Sequence, residues 1–261
     1  MNEGVGDEEV LTGGGVNEVV RVGATVRRPT GPHSPRVHDL LRRLGGFAGV
    51  PRFLGLDGDR EVLEFLPGQV SNYPVTDAAA SAPALAGAAQ LLRRYHDATA
   101  PFAAGLPREG WMFPVAEPVE VVCHGDVAPH NCVLDGERVV GLIDFDTARP
   151  GPRLTDLGGA AYRWVPLSDP ANPGVRPGTG EQAERLARFC AAYGAGPGDR
   201  AGLLDAVLDH LDGLVRFMHA RAAEGSAAFA AHVADGHDRL YLADAGYVRR
   251  HRAVFEAALG V

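Results

Sequence analysis

Apolar and polar residues alternate with a period of two in the first part of the chain, and this alternation predicts a small β-sheet. Between Thr12 and Val22 a run of glycines precedes alternating β-branched valines, which predicts a strand, a glycine turn and a second strand. The segment 25–28 predicts a third strand that ends before Pro29. Two further strands, joined by an Asp-Gly-Asp turn that tolerates positive φ, are predicted at 51–56 and 60–66.

Helical spacing of apolar residues occurs once within this region and then dominates the rest of the chain. Val37, Leu40, Leu41 and Leu44 fall on one helical face, which predicts a short helix that ends at Gly45. The second part of the chain is predicted to be mainly helical. Its predicted helices run from Leu85 to near Pro101 and over 181–193, 200–221, 227–234 and 239–259, with short apolar strands at 119–123, 132–134 and 139–143.

Composition and charge narrow the classes of function. The chain has 261 residues, of which 46% are hydrophobic and 22% are charged, as in ordinary globular proteins. The formal net charge of −8 disfavours a nucleic-acid partner, because phosphates require a basic face, and it favours a cationic small molecule. The three cysteines lack metal-ligand pairing such as C-x-x-C. With an acidic start and no apolar run of membrane-spanning length, we expect a cytoplasmic protein without a membrane partner.

Two short motifs, each at the end of an apolar run, carry the strongest chemical signal. In the first, Asp126 precedes Asn131 by the interval that separates the catalytic Asp from the metal-binding Asn in the kinase catalytic loop. In the second, Asp144 follows Ile143. Phosphoryl transfer from ATP needs a carboxylate for the attacking hydroxyl and hard oxygen ligands for magnesium. The two motifs supply both.

Together, HGDxxxxN (124–131) and IDFD (143–146) resemble the motifs of the aminoglycoside phosphotransferase and choline kinase family, relatives of the protein kinases. The resemblance implies an α+β, bilobal protein-kinase-like fold. Residues 1–68 would form a small antiparallel-sheet lobe with one helix and a hinge at about 64–68, and residues 69–261 a larger, mainly helical lobe. It also implies that Asp126 is the catalytic base, that Asn131 and Asp144 hold Mg2+, and that His124 is structural.

The resemblance extends to the nucleotide site. The segment 12–17 resembles the nucleotide-positioning loop, and 64–68 resembles the hinge between the lobes. Asp156, with Trp164, resembles the third family motif, in which the acidic residue braces the catalytic loop. The residues expected to bind ATP are Gly13, Gly14, Gly15, Asn17, Arg27, Glu64 and Leu66.

The chain departs from the family pattern at the phosphate-binding cation. All 25 basic residues are arginines, so the usual lysine on the third strand is missing. Arg27 is the first candidate for its place and Arg28 the rival, since a guanidinium binds phosphate oxygens bidentately. On the predicted helix, Asp39 is the acidic residue nearest to the position of the usual glutamate. Because the usual lysine–glutamate ion pair is changed, the sequence does not decide between ATP and GTP as the nucleotide.

Several functions stay open from the sequence. The first is a small-molecule kinase acting on an aminoglycoside or another basic antibiotic, and the second is a kinase of a metabolite such as homoserine, choline or a sugar. The third is a nucleotide-binding regulator with impaired catalysis, which the missing lysine motivates. A binuclear metal hydrolase would use His124, Asp126, His130, Asp144 and Asp146, but leaves Asn131 and the glycine run unexplained. Monomer and homodimer stay equally open.

Overall fold

The computed structural model of the protein describes residues 8–11, 19–172, 175 and 177–261. A five-stranded antiparallel sheet with the strand order β1-β2-β3-β5-β4 forms the first part of this chain. Its strands are β1 (Glu8–Leu11), β2 (Val19–Val22), β3 (Thr25–Pro29), β4 (Phe53–Asp57) and β5 (Arg60–Glu64). The predicted glycine turn, with Gly13, Gly14, Gly15 and Asn17, lies outside the described residues.

One helix packs on the sheet, as the apolar spacing predicts. Helix α1 (Ser34–Arg43) starts with a proline in its first turn and ends with Arg42 and Arg43, which suit the negative end of the helix dipole. Val37, Leu40 and Leu41 are buried. The helix thereby brings His38 to within 2.6 Å of Glu61 on β5.

The second part of the chain is mainly helical, so the predicted α+β class is confirmed. Its helices are α2 (Asp77–Ala80), α3 (Ala82–Ala103), α4 (Arg153–Trp164), α5 (Thr179–Tyr193), α6 (Pro197–Ala223), α7 (Ala227–Ala234), α8 (His237–Arg250) and α9 (Arg252–Leu259). Two small antiparallel pairs lie among them, β6 (Val121–Cys123) with β9 (Arg149–Gly151) and β7 (Cys132–Asp135) with β8 (Arg138–Leu142). Among the described helices, none is both long and apolar enough to cross a membrane.

Helix α3 forms the centre of the core. The Ser81 side chain accepts a hydrogen bond from the Ala84 N–H and caps the first turn. Leu85, Leu92 and Tyr95 are fully buried along the length of the helix. Helix α3 contacts β6 and β8, and both of these strands end beside the candidate site.

The segment 65–76 connects the sheet to the helical part and contains the predicted hinge. Gln69 and Leu134 exchange two backbone hydrogen bonds of 2.9 and 2.7 Å, which attach this segment to β7. Gly68 has a φ of +144°, and a Cβ at this position would lie 2.5 Å from the Leu134 carbonyl oxygen. The close approach of the two backbones therefore requires glycine. The division of the chain at residues 68 and 69 stays a prediction.

Helices α4, α8 and α9 differ from the sequence pattern. The predicted helix 239–259 is interrupted at His251, whose ring packs against Tyr247 at 4.6 Å. Helix α4 was not predicted, because Gly158 and Gly159 favour a turn. A Cβ on Gly158 would lie 2.6 Å from the backbone of Ala206, so this glycine permits close packing of α4 against α6.

Candidate active site

The loop between β6 and β7 carries the first motif, and a buried histidine holds it in place. The Nε2 of His124 lies 3.0 Å from the carbonyl oxygen of Ile143, and its Nδ1 accepts the N–H of Asp126 at 3.3 Å. Burial lowers the pKa of His124 and keeps the imidazole neutral. A neutral ring has one donor and one acceptor, which are the roles these two contacts require. His124 thus joins the two motifs structurally.

Asp156 of α4 anchors the backbone of the same loop. Its carboxylate accepts the N–H groups of His124 at 2.6 Å and Gly125 at 2.7 Å. It also lies 3.0 Å from Nε2 of the buried His96. Gly125 has a φ of +89°, and a Cβ there would lie 2.7 Å from the carbonyl oxygen of Thr147. The loop that carries Asp126 is therefore held in place by a fully paired buried carboxylate.

Asp126 lies at the tip of this loop, with its side chain 33% exposed. Nδ2 of Asn131 donates to the Asp126 carboxylate at 2.9 Å and to its carbonyl oxygen at 3.0 Å, and His130 Nε2 lies 3.3 Å from the carboxylate. Burial raises the pKa of Asp126, but the hydrogen bond and charge of His130, together with the charge of Arg163, outweigh it and lower the pKa to about 2. The carboxylate is therefore ionised near neutral pH.

Asn131 and Asp144 lie at adjacent strand ends. The N–H of Ile143 donates to the carbonyl oxygen of Asn131 at 2.9 Å, which couples the two motifs through the backbone. Asp144 has left-handed backbone angles of φ 65° and ψ 69°, unusual for a non-glycine residue, and its side chain is 48% exposed. The structure thus brings Asp126, Asn131 and Asp144 into one region.

The side-chain oxygens of Asn131 and Asp144 are suitable ligands for Mg2+. Because the Asn131 amide nitrogen faces Asp126, the amide oxygen is the atom that remains for a cation. The Asp144 carboxylate is a second hard oxygen donor. Within the described residues, no cluster of three or more His, Cys, Asp or Glu side chains is arranged to hold a metal ion.

A buried guanidinium links the sheet to the second motif. Arg28 bonds to Glu61 at 2.5 Å, Asp144 at 2.7 Å and Asp146 at 2.5 Å, and its side chain is 11% exposed. Burial alone would lower the pKa of Arg28, but the three carboxylates raise it, so the residue stays charged. Glu61 is itself buried and lies 2.6 Å from His38 Nε2.

Arg27, the first candidate from the sequence, faces elsewhere. It pairs with Asp57 at 2.6 Å in an exposed position at the hairpin between β4 and β5. The structure therefore brings Arg28, the rival, to the second motif, where the predicted metal ligand Asp144 lies. The other predicted nucleotide residues lie along the connecting segment. Glu64 pairs with Arg52 at 3.1 Å, and Leu66 lines a surface groove with Gly68, Leu134 and Val140.

Sequence reasoning missed three residues beside the site. Glu61 and His38 complete the ion-pair network of Arg28, and Arg163 of α4 lies close enough to Asp126 to lower its pKa. The register of β3 on β5, which places Arg28 opposite Glu61, is the signal that could have found the first of these. Arg163 was missed because helix α4, which carries it, was not predicted.

Comparisons with known proteins fit this geometry. Residues 38–206 match the sequence model of a family described as "Phosphotransferase enzyme family". The trifolitoxin immunity protein of Rhizobium leguminosarum bv. trifolii is 34% identical over 216 residues, covering 77% of this chain and 80% of that protein. An amicoumacin kinase in complex with AMP-PNP, Ca2+ and Ami has a TM-score of 0.66 at 14% identity, covering 92% of this chain and 88% of that one.

A second solved structure extends the likeness along almost the whole chain. An aminoglycoside phosphotransferase from Alicyclobacillus acidocaldarius subsp. acidocaldarius has a TM-score of 0.57 at 19% identity, covering 99% of this chain and 92% of that one. At these identities the two solved structures show a shared fold. The bilobal, kinase-like architecture expected from the motifs is thereby confirmed.

Proposed function

Because this chain belongs to the phosphotransferase enzyme family, we propose that it transfers the γ-phosphoryl group of ATP to a hydroxyl of an antibiotic or toxin. The membership confirms the family and the enzyme class, a small-molecule kinase, that the two motifs predict. The substrate class and the roles of individual residues are the parts that we propose.

The convergence of Asp126, Asn131 and Asp144 carries the proposal. The ionised Asp126 carboxylate would orient the substrate hydroxyl, whose oxygen forms the new bond to the γ-phosphorus. The bond from that phosphorus to the β–γ bridging oxygen breaks, ADP leaves with the electron pair, and the hydroxyl proton passes to Asp126. Mg2+ held by Asn131 and Asp144 would neutralise the charge on the phosphates.

We propose that ATP binds to residues of the sheet and of the hinge. Arg28 is the guanidinium that would contact the phosphates, in the place of the usual lysine, because it lies beside Asp144. The glycine segment with Gly13, Gly14, Gly15 and Asn17, and the hinge residues Glu64 and Leu66, stay proposed nucleotide contacts. AMP-PNP in the structure of the amicoumacin kinase supports ATP as the donor.

Similarity to two proteins supports an antibiotic or toxin as the acceptor. The relative with 34% identity is named as a trifolitoxin immunity protein, and the kinase with the same fold is named for amicoumacin. A role in resistance or immunity follows as part of the proposal. A metabolite kinase is the rival within the same chemistry.

One observation favours a nucleotide-binding regulator as a second candidate. The three nitrogens of Arg28 are all bonded to carboxylates, so Asp144 and Asp146 already have a cationic partner within the protein itself. A chain that never loads Mg2+ would have this arrangement permanently. An active kinase would release Asp144 from Arg28 when the metal and the nucleotide bind.

Transfer of phosphate to a panel of hydroxylated antibiotics tests the proposal. We expect MgATP to produce ADP and a substrate that has gained one phosphate by mass spectrometry, and chelation of Mg2+ by EDTA to stop the reaction. Asp144→Asn should reduce turnover about 10²- to 10³-fold, since it removes charge from the metal site, whereas Asp59→Asn in the exposed turn should not. Tight ATP binding without any phosphorylated product would favour the regulator.

Replacing Arg28 distinguishes it from Arg27. Arg28→Gln is expected to raise the KM for ATP about 10- to 100-fold, because a charge-assisted hydrogen bond contributes roughly 1.5–3 kcal/mol. Arg28→Lys should restore part of the affinity. Since the substitution also removes one of the two partners of the buried Glu61, thermal unfolding of each variant is measured alongside the kinetics. If Arg27→Gln raised the KM for ATP by this amount and Arg28→Gln did not, the phosphate contact would be assigned to Arg27.

A further inference from the structure

The guanidinium of Arg28 uses three different nitrogens to connect the sheet with the second motif. Nε donates to Glu61 at 2.5 Å, Nη1 to Asp144 at 2.7 Å and Nη2 to Asp146 at 2.5 Å. Glu61 lies on β5, the strand that pairs with β3, whereas Asp144 and Asp146 follow β8 in the helical part. Nε is therefore bonded within the sheet, and the two terminal nitrogens are bonded to the second motif.

The carboxylates on these two sides differ in their exposure to water. The side chain of Glu61 is 1% exposed, and its second oxygen lies 2.6 Å from His38 Nε2. The side chains of Asp144 and Asp146 are 48% and 21% exposed. Loss of a cationic partner costs most where water cannot replace it. The bond from Nε to Glu61 is therefore the fixed one, and the bonds from Nη1 and Nη2 to the aspartates are the exchangeable ones.

Asp146 has a second neighbour in the first part of the chain. Nε2 of His33, the residue before α1, lies 3.5 Å from the Asp146 oxygen that accepts Nη2 of Arg28. Helix α1 also contacts the turn 145–147. Asp146 therefore keeps a contact with this part of the chain when Arg28 is bonded elsewhere.

Arg28 and a divalent cation would compete for Asp144. This residue is the proposed Mg2+ ligand, and its Oδ1 already accepts Nη1 of Arg28. A cation on the other oxygen of the same carboxylate would lie close to the guanidinium, where the two positive charges repel each other. The planar guanidinium binds phosphate oxygens as well as carboxylates. Nucleotide phosphates are thus suitable alternative partners for Nη1 and Nη2.

We propose that Arg28 is a latch on the metal ligand: without nucleotide it holds Asp144 and weakens the binding of a divalent cation. When nucleotide binds, Nη1 and Nη2 exchange the two aspartates for phosphate oxygens, while Nε stays on Glu61. Nucleotide and divalent cation then bind cooperatively, because Arg28 leaves Asp144 as it reaches the phosphates. The inference rests on the proposed function for the metal at Asp144 and for the phosphates beside Arg28.

Binding of Mn2+ in the absence of nucleotide tests the latch separately from catalysis. Mn2+ prefers the same carboxylate and carbonyl ligands as Mg2+, and its free form is measured by electron paramagnetic resonance. We expect Arg28→Gln to bind Mn2+ about 5- to 100-fold more tightly than the parent protein, the usual range for coupling between two sites. The same variant should bind AMP-PNP in EDTA about 10- to 100-fold more weakly. A residue that only supported the fold would not change the two affinities in opposite directions.

Four further variants serve as controls. Arg28→Lys keeps the charge and should bind Mn2+ like the parent protein, and Arg27→Gln, whose arginine pairs with the exposed Asp57, should change neither affinity. Asp144→Asn added to Arg28→Gln should remove the gain in Mn2+ affinity. The double variant Arg28→Gln/Glu61→Gln leaves no unpaired charge on the buried Glu61 and should show the same gain as Arg28→Gln. Thermal unfolding of each variant shows that it is folded.

The outcomes separate the latch from the proposed function. No Mn2+ binding in any variant, no gain in either variant that lacks Arg28, or a gain that survives Asp144→Asn would each overturn the latch. A phosphorylated product formed from MgATP without any gain in Mn2+ affinity would leave the kinase proposal standing and overturn the latch alone. A gain that depends on Asp144, with no acceptor phosphorylated by the parent protein, would support the latch and overturn the kinase proposal.

Discussion

Asp126→Asn is expected to lower kcat about 10²- to 10⁴-fold, the range for loss of a positioned acid–base group. The asparagine keeps the size of the side chain but removes the charge that orients the substrate hydroxyl and receives its proton. Its amide nitrogen would also face donors if it took the position of the oxygen that Asn131 bonds. Steady-state kinetics with the phosphorylated product as readout give the measurement.

Nucleotide binding provides the control for this variant. Because Asp126 contacts His130 and Asn131 and not Arg28, ATP affinity should stay within about threefold of the parent value. With a pKa of about 2, Asp126 is a weak base, so its main contribution is to orientation. Turnover within tenfold of the parent enzyme would show that another group performs this role.

The convergence of the two motifs could be predicted because each is local. A short apolar strand followed by polar residues places Asp126 at one strand end and Asp144 at the next, and the interval from Asp126 to Asn131 needs no knowledge of distant parts. Strands β2 to β5, helix α1 and the family followed from equally local patterns, whereas β1 (Glu8–Leu11) lies in the acidic start, before the segment in which the first strand was predicted. The roles of the three residues remain proposals.

The choice between Arg27 and Arg28 could not be made from the sequence. Adjacent residues on a strand point to opposite faces, so one residue faces the cleft and its neighbour the other side. Both faces of β3 are partly exposed, which removes the apolar signal that would orient it. The pairing of Arg28 opposite Glu61 depends on the register with β5, a long-range feature.

The ion-pair partner of Arg28 shows the same limit. The family pattern directs attention to an acidic residue on the helix after the third strand, where Asp39 is exposed and pairs with Arg42. The structure supplies Glu61 from the neighbouring strand, and the helix contributes His38 instead. When the acidic partner lies on a different strand or helix from the one in the family pattern, the spacing of the motifs does not reveal it.

Asp156→Ala is expected to reduce the free energy of unfolding by about 3–5 kcal/mol, the cost of removing one partner from a buried polar network. The alanine would leave the N–H groups of His124 and Gly125 unpaired, and it would also remove the partner of His96 Nε2. Chemical denaturation at neutral pH measures the loss. Asp59→Ala, in an exposed turn, is the matched control and should stay within about 0.5 kcal/mol.

The pH dependence of the loss in unfolding free energy in Asp156→Ala identifies the electrostatic part of that loss. Burial raises the pKa of Asp156, but the hydrogen bond and charge of His96 outweigh it, so the folded pKa lies below the ordinary value of 3.8. Stability from a lowered pKa is complete above the ordinary value and disappears as the pH falls through the folded pKa. The difference in free energy of unfolding between the parent protein and Asp156→Ala should therefore become smaller as the pH falls below 3.8. A difference under about 1 kcal/mol at neutral pH would contradict the anchoring role.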